Sequence, residues 1–271
     1  LLQTLQPMDS CKSIDLSYNT IGSNAMKLLA NYVSKGTLTT ISVTNCRLTN
    51  GCIEGFCDEL MKNNKKNINL TSIDMQRNEI GNGSKVIESC PKLLDLNLSF
   101  NKIKTEDGIE IAKLLQNSSK PLQRLSLYLC PLIRPYSPTP DWWKKQKRVV
   151  KTEDGEEILV EVEEEPTITV IDELENIFFD EFAAMISNNT KLEDIDISNT
   201  GFWKVSCLCD AITNNRNLRH FSLANNSIPK LEMEPFSEAM KSNHTIEGIH
   251  IMIGNAVSVD SLGFLRPLNQ P

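Results

Sequence analysis

Residues 70–80 read LTSIDMQRNEI and residues 93–103 read LLDLNLSFNKI. Both fit one frame, LxxLxLxxNxL, in which apolar residues stand at positions one, four, six and eleven and Asn at nine. The central LxL portion alternates apolar and polar residues, as a half-buried strand does. An Asn directly after it can bond backbone groups where the chain turns away from the strand. One short stretch therefore predicts a strand, its buried face and its exit.

The frame recurs along the chain. It appears as CKSIDLSYNTI from Cys11, LTTISVTNCRL from Leu38, LQRLSLYLCPL from Leu122, LEDIDISNTGF from Leu192, LRHFSLANNSI from Leu218 and IEGIHIMIGNA from Ile246. Copies that start at 11, 38, 70, 93, 122, 192, 218 and 246 keep a period near 28, with one step of 70. Cys46 and Cys130 take the ninth position in their copies and are expected to fill the same inward slot. Thr200 stands there in the sixth copy and Gly254 in the last, and both depart from the pattern.

Between the strands lie helix-period stretches, SNAMKLLANYV from Ser23, GIEIAKLLQN from Gly108, FFDEFAAMISN from Phe178 and EPFSEAMKSN from Glu234. Their apolar residues recur at three and four, so each helix buries one stripe against the strand layer. A single strand and helix cannot bury that face, and stacking identical units does so. The expected architecture is an α/β solenoid, with a curved parallel sheet on the concave side and helices on the convex side. Leu96, Leu98, Ile195 and Ile197 should point into its core.

In period and helix content the repeat resembles the ribonuclease-inhibitor-like subclass of leucine-rich repeats. Tropomodulin-type cytoskeletal proteins, immune-receptor repeat domains and activators of the GTPase Ran belong to that group. The resemblance implies a macromolecule-binding scaffold, with a cytoskeletal or other cytoplasmic assembly as its context. A regulator of a small GTPase is the alternative it allows. Fold likeness by itself transfers no function.

We expect one domain over residues 1–271, with an insertion at 134–170. Residues 1–10 read as the tail of a preceding helix, so the chain is expected to be a segment of a longer protein. The insertion holds Pro135, Pro138, Pro140, the pair Trp142 and Trp143, and a charged stretch centred on Asp154-Gly155. A two-residue turn at that dipeptide predicts a hairpin in which Val150 faces Leu159, Arg148 faces Glu161 and Lys145 faces Glu164. Val149 would then share a face with Ile158, Val160 and Val162. A bare hairpin is marginal in water, so we expect it to dock on the solenoid.

The chain carries 28 basic and 35 acidic residues, a formal charge of −7. Between Ile133 and Glu175 there are 6 basic and 12 acidic residues, so the imbalance sits almost wholly in that segment. This balance disfavours nucleic acid or an anionic membrane as partner. No apolar run approaches the length of a membrane-spanning helix. The eight cysteines lack the paired spacing of a zinc site or a disulfide framework, so no metal or cofactor is expected.

The frame also places the residues that should face the inner curve. Among them Asp74, Asp95, Tyr128, Asp194, Asp196, His220 and His250, together with Trp142 and Trp143 of the insertion, are the candidate partner-binding residues. Asp194 should lie beside His220 on adjacent strands. Asp196, Ser222 and His250 should form one row, yet an open curve supplies neither an oxyanion hole nor a strained nucleophile turn. The expected function is protein binding, through a partner with a basic surface, without catalysis. Nothing in the sequence indicates an oligomeric state.

Overall fold

In the computed structural model the described residues are 10–62, 67–133, 146–151, 157–162 and 173–268, with 146–151 and 157–162 described as backbone. Every copy of the frame forms a three-residue strand. These are β1 (Ser13–Asp15), β2 (Thr40–Ser42), β3 (Ser72–Asp74), β4 (Asp95–Asn97) and β5 (Arg124–Ser126), then β8 (Asp194–Asp196), β9 (His220–Ser222) and β10 (Gly248–His250). They make one parallel sheet in the order β1-β2-β3-β4-β5-β8-β9-β10. The middle residues run in register from Ile14 through Ile41, Ile73, Leu96, Leu125, Ile195 and Phe221, and all of these are buried. Leu98 and Ile197 are fully buried as well. The core is thus one continuous apolar layer, as the frame requires.

The connecting helices are α1 (Ser23–Val33), α2 (Asn50–Lys62), α3 (Ser84–Ser89), α4 (Thr105–Gln116), α5 (Glu173–Asn188), α6 (Cys209–Asn214) and α7 (Lys230–Ser242). A 3₁₀ turn at Val205–Leu208 leads into α6. The sequence pattern locates α1 to the residue but underestimates the others. α4, α5 and α7 start earlier than the apolar stripes, while α2, α3 and α6 fall in repeats where a helix is expected without stated bounds. α3 is short because its repeat is the shortest of the eight. α7 begins a turn ahead of Pro235, which therefore lies inside the helix.

The sheet crosses the insertion without a break. Arg124, Leu125 and Ser126 pair directly with Asp194, Ile195 and Asp196. On the helical side the same junction is closed by an aromatic block. Phe178, Phe179 and Phe182 of α5 meet Phe202, with ring centroids between 5.0 and 6.2 Å apart. Gly108 inside α4 is what lets α5 approach, since a Cβ there would stand 2.7 Å from Phe178 Cε2.

Two strands of the insertion are described, β6 (Gln146–Lys151) and β7 (Glu157–Val162), and they form the expected antiparallel pair. Their register differs from the expectation by one residue. Val149 pairs with Leu159, Val150 with Ile158, Arg148 with Val160 and Lys147 with Glu161. The connection is residues 152–156 rather than the Asp154-Gly155 dipeptide alone, and a slip of one residue exchanges the two faces of a strand. Val149 accordingly leaves the set formed with Ile158, Val160 and Val162. Lys145, Trp142 and Trp143, and the docking of the hairpin, lie outside the described residues. A second small hairpin, β11 (Val257–Val259) with β12 (Leu265–Pro267), follows β10.

Candidate binding surface on the inner curve

The ninth-position residues build a ladder behind the strands. Asn78 donates to Met75 O and to Val43 O of the preceding repeat, both at 2.9 Å, while its Oδ1 accepts from the amides of Cys46 and Leu48. Asn101 and Asn226 repeat this arrangement. Cys46 and Cys130 occupy the same slot and donate to Leu16 O at 3.1 Å and Leu98 O at 3.2 Å. Thr200 likewise donates to Ile197 O at 2.6 Å. In the last repeat the slot belongs to Asn255, not to Gly254. Asn255 donates to Ile251 O and Leu223 O and accepts from Ile228 N. Gly254, at φ +69°, supplies the left-handed turn by which one additional residue is accommodated.

A second ladder, unforeseen in the sequence, ties the ends of α5, α6 and α7 to the strands that follow them. Asn189, Asn215 and Asn243 are buried three residues before Leu192, Leu218 and Ile246. Asn215 Nδ2 donates to Ile186 O at 2.7 Å, and its Oδ1 accepts from Asn217 N and Leu218 N. Asn189 and Asn243 do the same one repeat away on either side. The signal that could have revealed it is the recurring N-x-x-L/I spacing.

On this frame the inner-curve side chains fall into rows across the strands. The first row runs Ser13, Thr40, Ser72, Asp95, Arg124, Asp194, His220, Gly248, and the second runs Asp15, Ser42, Asp74, Asn97, Ser126, Asp196, Ser222, His250. Asp194 stands beside His220, and Asp196, Ser222 and His250 share a row, as the spacing predicts. Arg124 reaches the other way and pairs with Asp95, Nη2 to Oδ2 at 3.0 Å. Asp95, Arg124 and Asp194 therefore alternate in charge across three strands, with His220 next in the row. Partial burial, the largest influence on Asp194, pushes its carboxyl above the usual aspartate value, against the pull of His220 and Arg124. His220 lies over Gly248, where a Cβ would be 2.6 Å from Nδ1.

The second row has a structural duty that sequence reasoning missed. Asp15, Asp74, Asn97 and Asp196 each accept, through Oδ1, the amide two residues on, at 2.9 to 3.1 Å. Both oxygens of Asp74, the second through Gln76 Nε2 at 3.1 Å, and one of Asp196 are thus engaged within their own repeats. Among the described residues no group of three His, Cys, Asp or Glu side chains is placed to hold a metal ion. No helix among them is long and apolar enough to cross a membrane.

The eighth position carries a further regularity. Tyr18, Asn45, Arg77, Phe100, Leu129, Asn199 and Asn225 all have φ between 52° and 61°. Asn tolerates this left-handed conformation through its short polar side chain, whereas bulky residues adopt it rarely. Three of the bulky ones lie on consecutive repeats. The Arg77 guanidinium sits 4.3 Å from the Phe100 ring centre, and Phe100 meets Tyr128 edge to face at 5.0 Å. Leu129 follows, 43% exposed. Of the predicted site residues, only Tyr128 belongs to this ledge.

The profile of the family described as Leucine Rich repeat matches residues 12–30, 66–83 and 89–112. Three solved structures illustrate the likeness. The tropomodulin C-terminal domain of Caenorhabditis elegans is 9% identical, with 46% of this chain and 79% of that chain covered at a TM-score of 0.38. A leiomodin-1 segment described as actin-binding site 2 is 19% identical, with 47% and 76% covered at 0.38. An internalin from Listeria monocytogenes is 13% identical, with 89% and 48% covered at 0.48. Eight in-register strands alternating with helices, the recurring frame and its Asn ladder, and the match to that profile over three of the repeats give this chain the fold of a leucine-rich-repeat solenoid.

Proposed function

We propose that this protein is a protein-binding scaffold that receives a partner with a basic surface on its inner curve, within a cytoskeletal or other cytoplasmic assembly. The observation that carries the reading is the row arrangement itself. Eight short strands present small polar side chains, with Asp74, Asp194 and Asp196 among them, on a face that none of the described helices covers. Asp95 contributes less, because Arg124 already neutralises it. His220 and His250 extend the polar rows toward the last repeat. Trp142 and Trp143 of the insertion are proposed as a second contact, since adjacent Trp residues bring large apolar areas to an interface.

The test begins with affinity purification and crosslinking mass spectrometry to obtain a partner. Changing Asp74, Asp95, Asp194 and Asp196 together to Asn should slow association, and the wild-type rate should fall as salt is raised. A verified partner that binds the quadruple variant at the wild-type rate places docking elsewhere. Replacing residues 134–170 by a Gly-Ser linker tests the insertion separately. Full capture by a folded deletion protein removes it from the interface.

A further inference from the structure

The ledge of Arg77, Phe100, Tyr128 and Leu129 serves no evident purpose in folding. Leucine and phenylalanine in the left-handed region carry a conformational cost that Asn at the same position avoids, as Asn45, Asn199 and Asn225 do here. Leu129 recovers little of that cost through burial, being 43% exposed, and Arg77 is exposed too. A half-buried Phe100 and an exposed Leu129 held in a disfavoured conformation, beside a half-buried Tyr128 and under an exposed arginine, have the composition of an interface hot spot. Their order is already set, because Arg77 covers Phe100 and Phe100 abuts Tyr128. A partner would therefore meet a preorganised surface.

The ledge borders the acidic rows at a defined spacing. Tyr128 lies two residues beyond Ser126, in the turn that follows β5, a step of at most about 6.6 Å for extended chain. Ser126 pairs with Asp196, and one step farther Arg124 pairs with Asp194. Asp74 lies on the other flank, three residues before Arg77. An extended segment running along the strands has the same two-residue step. Were its apolar side chain on Phe100, Tyr128 and Leu129, the side chain two residues away would reach the Asp196 row.

We propose that this ledge is the specificity-determining anchor site of the inner curve, and that its ligand is an extended protein segment carrying an aromatic or branched aliphatic residue with Lys or Arg two residues away. The proposal rests on the reading of the inner curve as a protein-binding face.

The probe is a random-peptide phage library panned on the chain, with selected peptides then measured against variants. One variant combines Phe100→Asn and Leu129→Asn, and the other combines Asp74→Asn and Asp196→Asn. Enriched peptides should show the apolar-x-basic pattern and bind the first variant about tenfold more weakly or worse, as loss of a hot-spot contact does. That variant should melt at or above the wild-type temperature, because Asn suits the left-handed turn better than Phe or Leu. A lowered melting temperature would make the ledge structural and overturn the proposal. Peptides that keep full affinity for the first variant but lose it on the second refute the ledge while leaving the basic-partner reading intact. Peptides retained by both variants, or no enrichment at all, refute both. Concentration-dependent self-association in sedimentation that disappears in the first variant would assign the ledge to a second copy of the chain, against the proposal.

Discussion

Replacing Asn226 by Ala tests the ladder at its most connected rung. Asn226 is buried, donates to Ile197 O at 2.9 Å and Leu223 O at 3.0 Å, and accepts from the amides of Thr200, Gly201 and Phe202 at 2.9, 3.0 and 3.2 Å. Alanine leaves three amides without their acceptor and removes one donor from each of two carbonyls, which keep Thr200 Oγ1 and Asn255 Nδ2 respectively. Each hydrogen bond is worth about 1 kcal/mol net, and a buried group left unpaired costs about 1 to 3 kcal/mol. The amides share one oxygen, and a water molecule can enter the space vacated, so the expected loss is about 3 to 5 kcal/mol. That is a large part of the roughly 5 to 15 kcal/mol that holds a domain folded. Cysteine should fall between Ala and Asn, because Cys46 and Cys130 donate to a carbonyl in this slot. The assay is urea unfolding, read as a shift of midpoint at unchanged slope, combined with hydrogen exchange. The amides of Thr200, Gly201 and Phe202 should lose protection, and that of Ile80, held by Asn101, should keep it. A loss below about 1 kcal/mol with those three amides still protected would refute the reasoning.

Leu98→Ala should cost about 2 to 5 kcal/mol in the same unfolding assay, since Leu98 is fully buried against Gly83, and an unchanged melt would overturn the strand frame. Gly254→Ala should lower the melting temperature, because φ is +69° and an added Cβ would collide with Asn225. A neutral outcome would mean that Asn255 reaches its slot by another backbone path. Burial pushes the thiols of Cys57 and Cys130 up to about 11 and that of Cys90 to about 12. Raised values deplete the reactive thiolate, so iodoacetamide at pH 8 should label Cys57 and Cys130 roughly a hundredfold and Cys90 roughly a thousandfold more slowly in the folded chain than in urea, by mass spectrometry. Equal rates would contradict their placement in the core.

The repeat period, the eight strands and the cross-strand rows were legible before any coordinates, down to the neighbours Asp194 and His220. The reason is local. Burial of one face forces a two-residue period, and a shift of one residue would turn every apolar side chain to water. Helix ends were less legible, because polar residues such as those opening α5 join a helix without adding to its apolar stripe. What the tertiary structure alone decided depends on partners distant in the chain. Asn255 displaces Gly254 from the last rung because the carbonyl of Leu223 and the amide of Ile228 stand where only Asn255 reaches them. The β6-β7 register departs by one residue from the one that the two-residue turn implies. The Asn189, Asn215 and Asn243 ladder links residues a whole repeat or more apart, and the Arg77, Phe100 and Tyr128 stack assembles side chains from three repeats. The sequence by itself determined which face of each strand is buried; the exchange of hydrogen bonds and ring contacts between repeats was decided by how those faces stack.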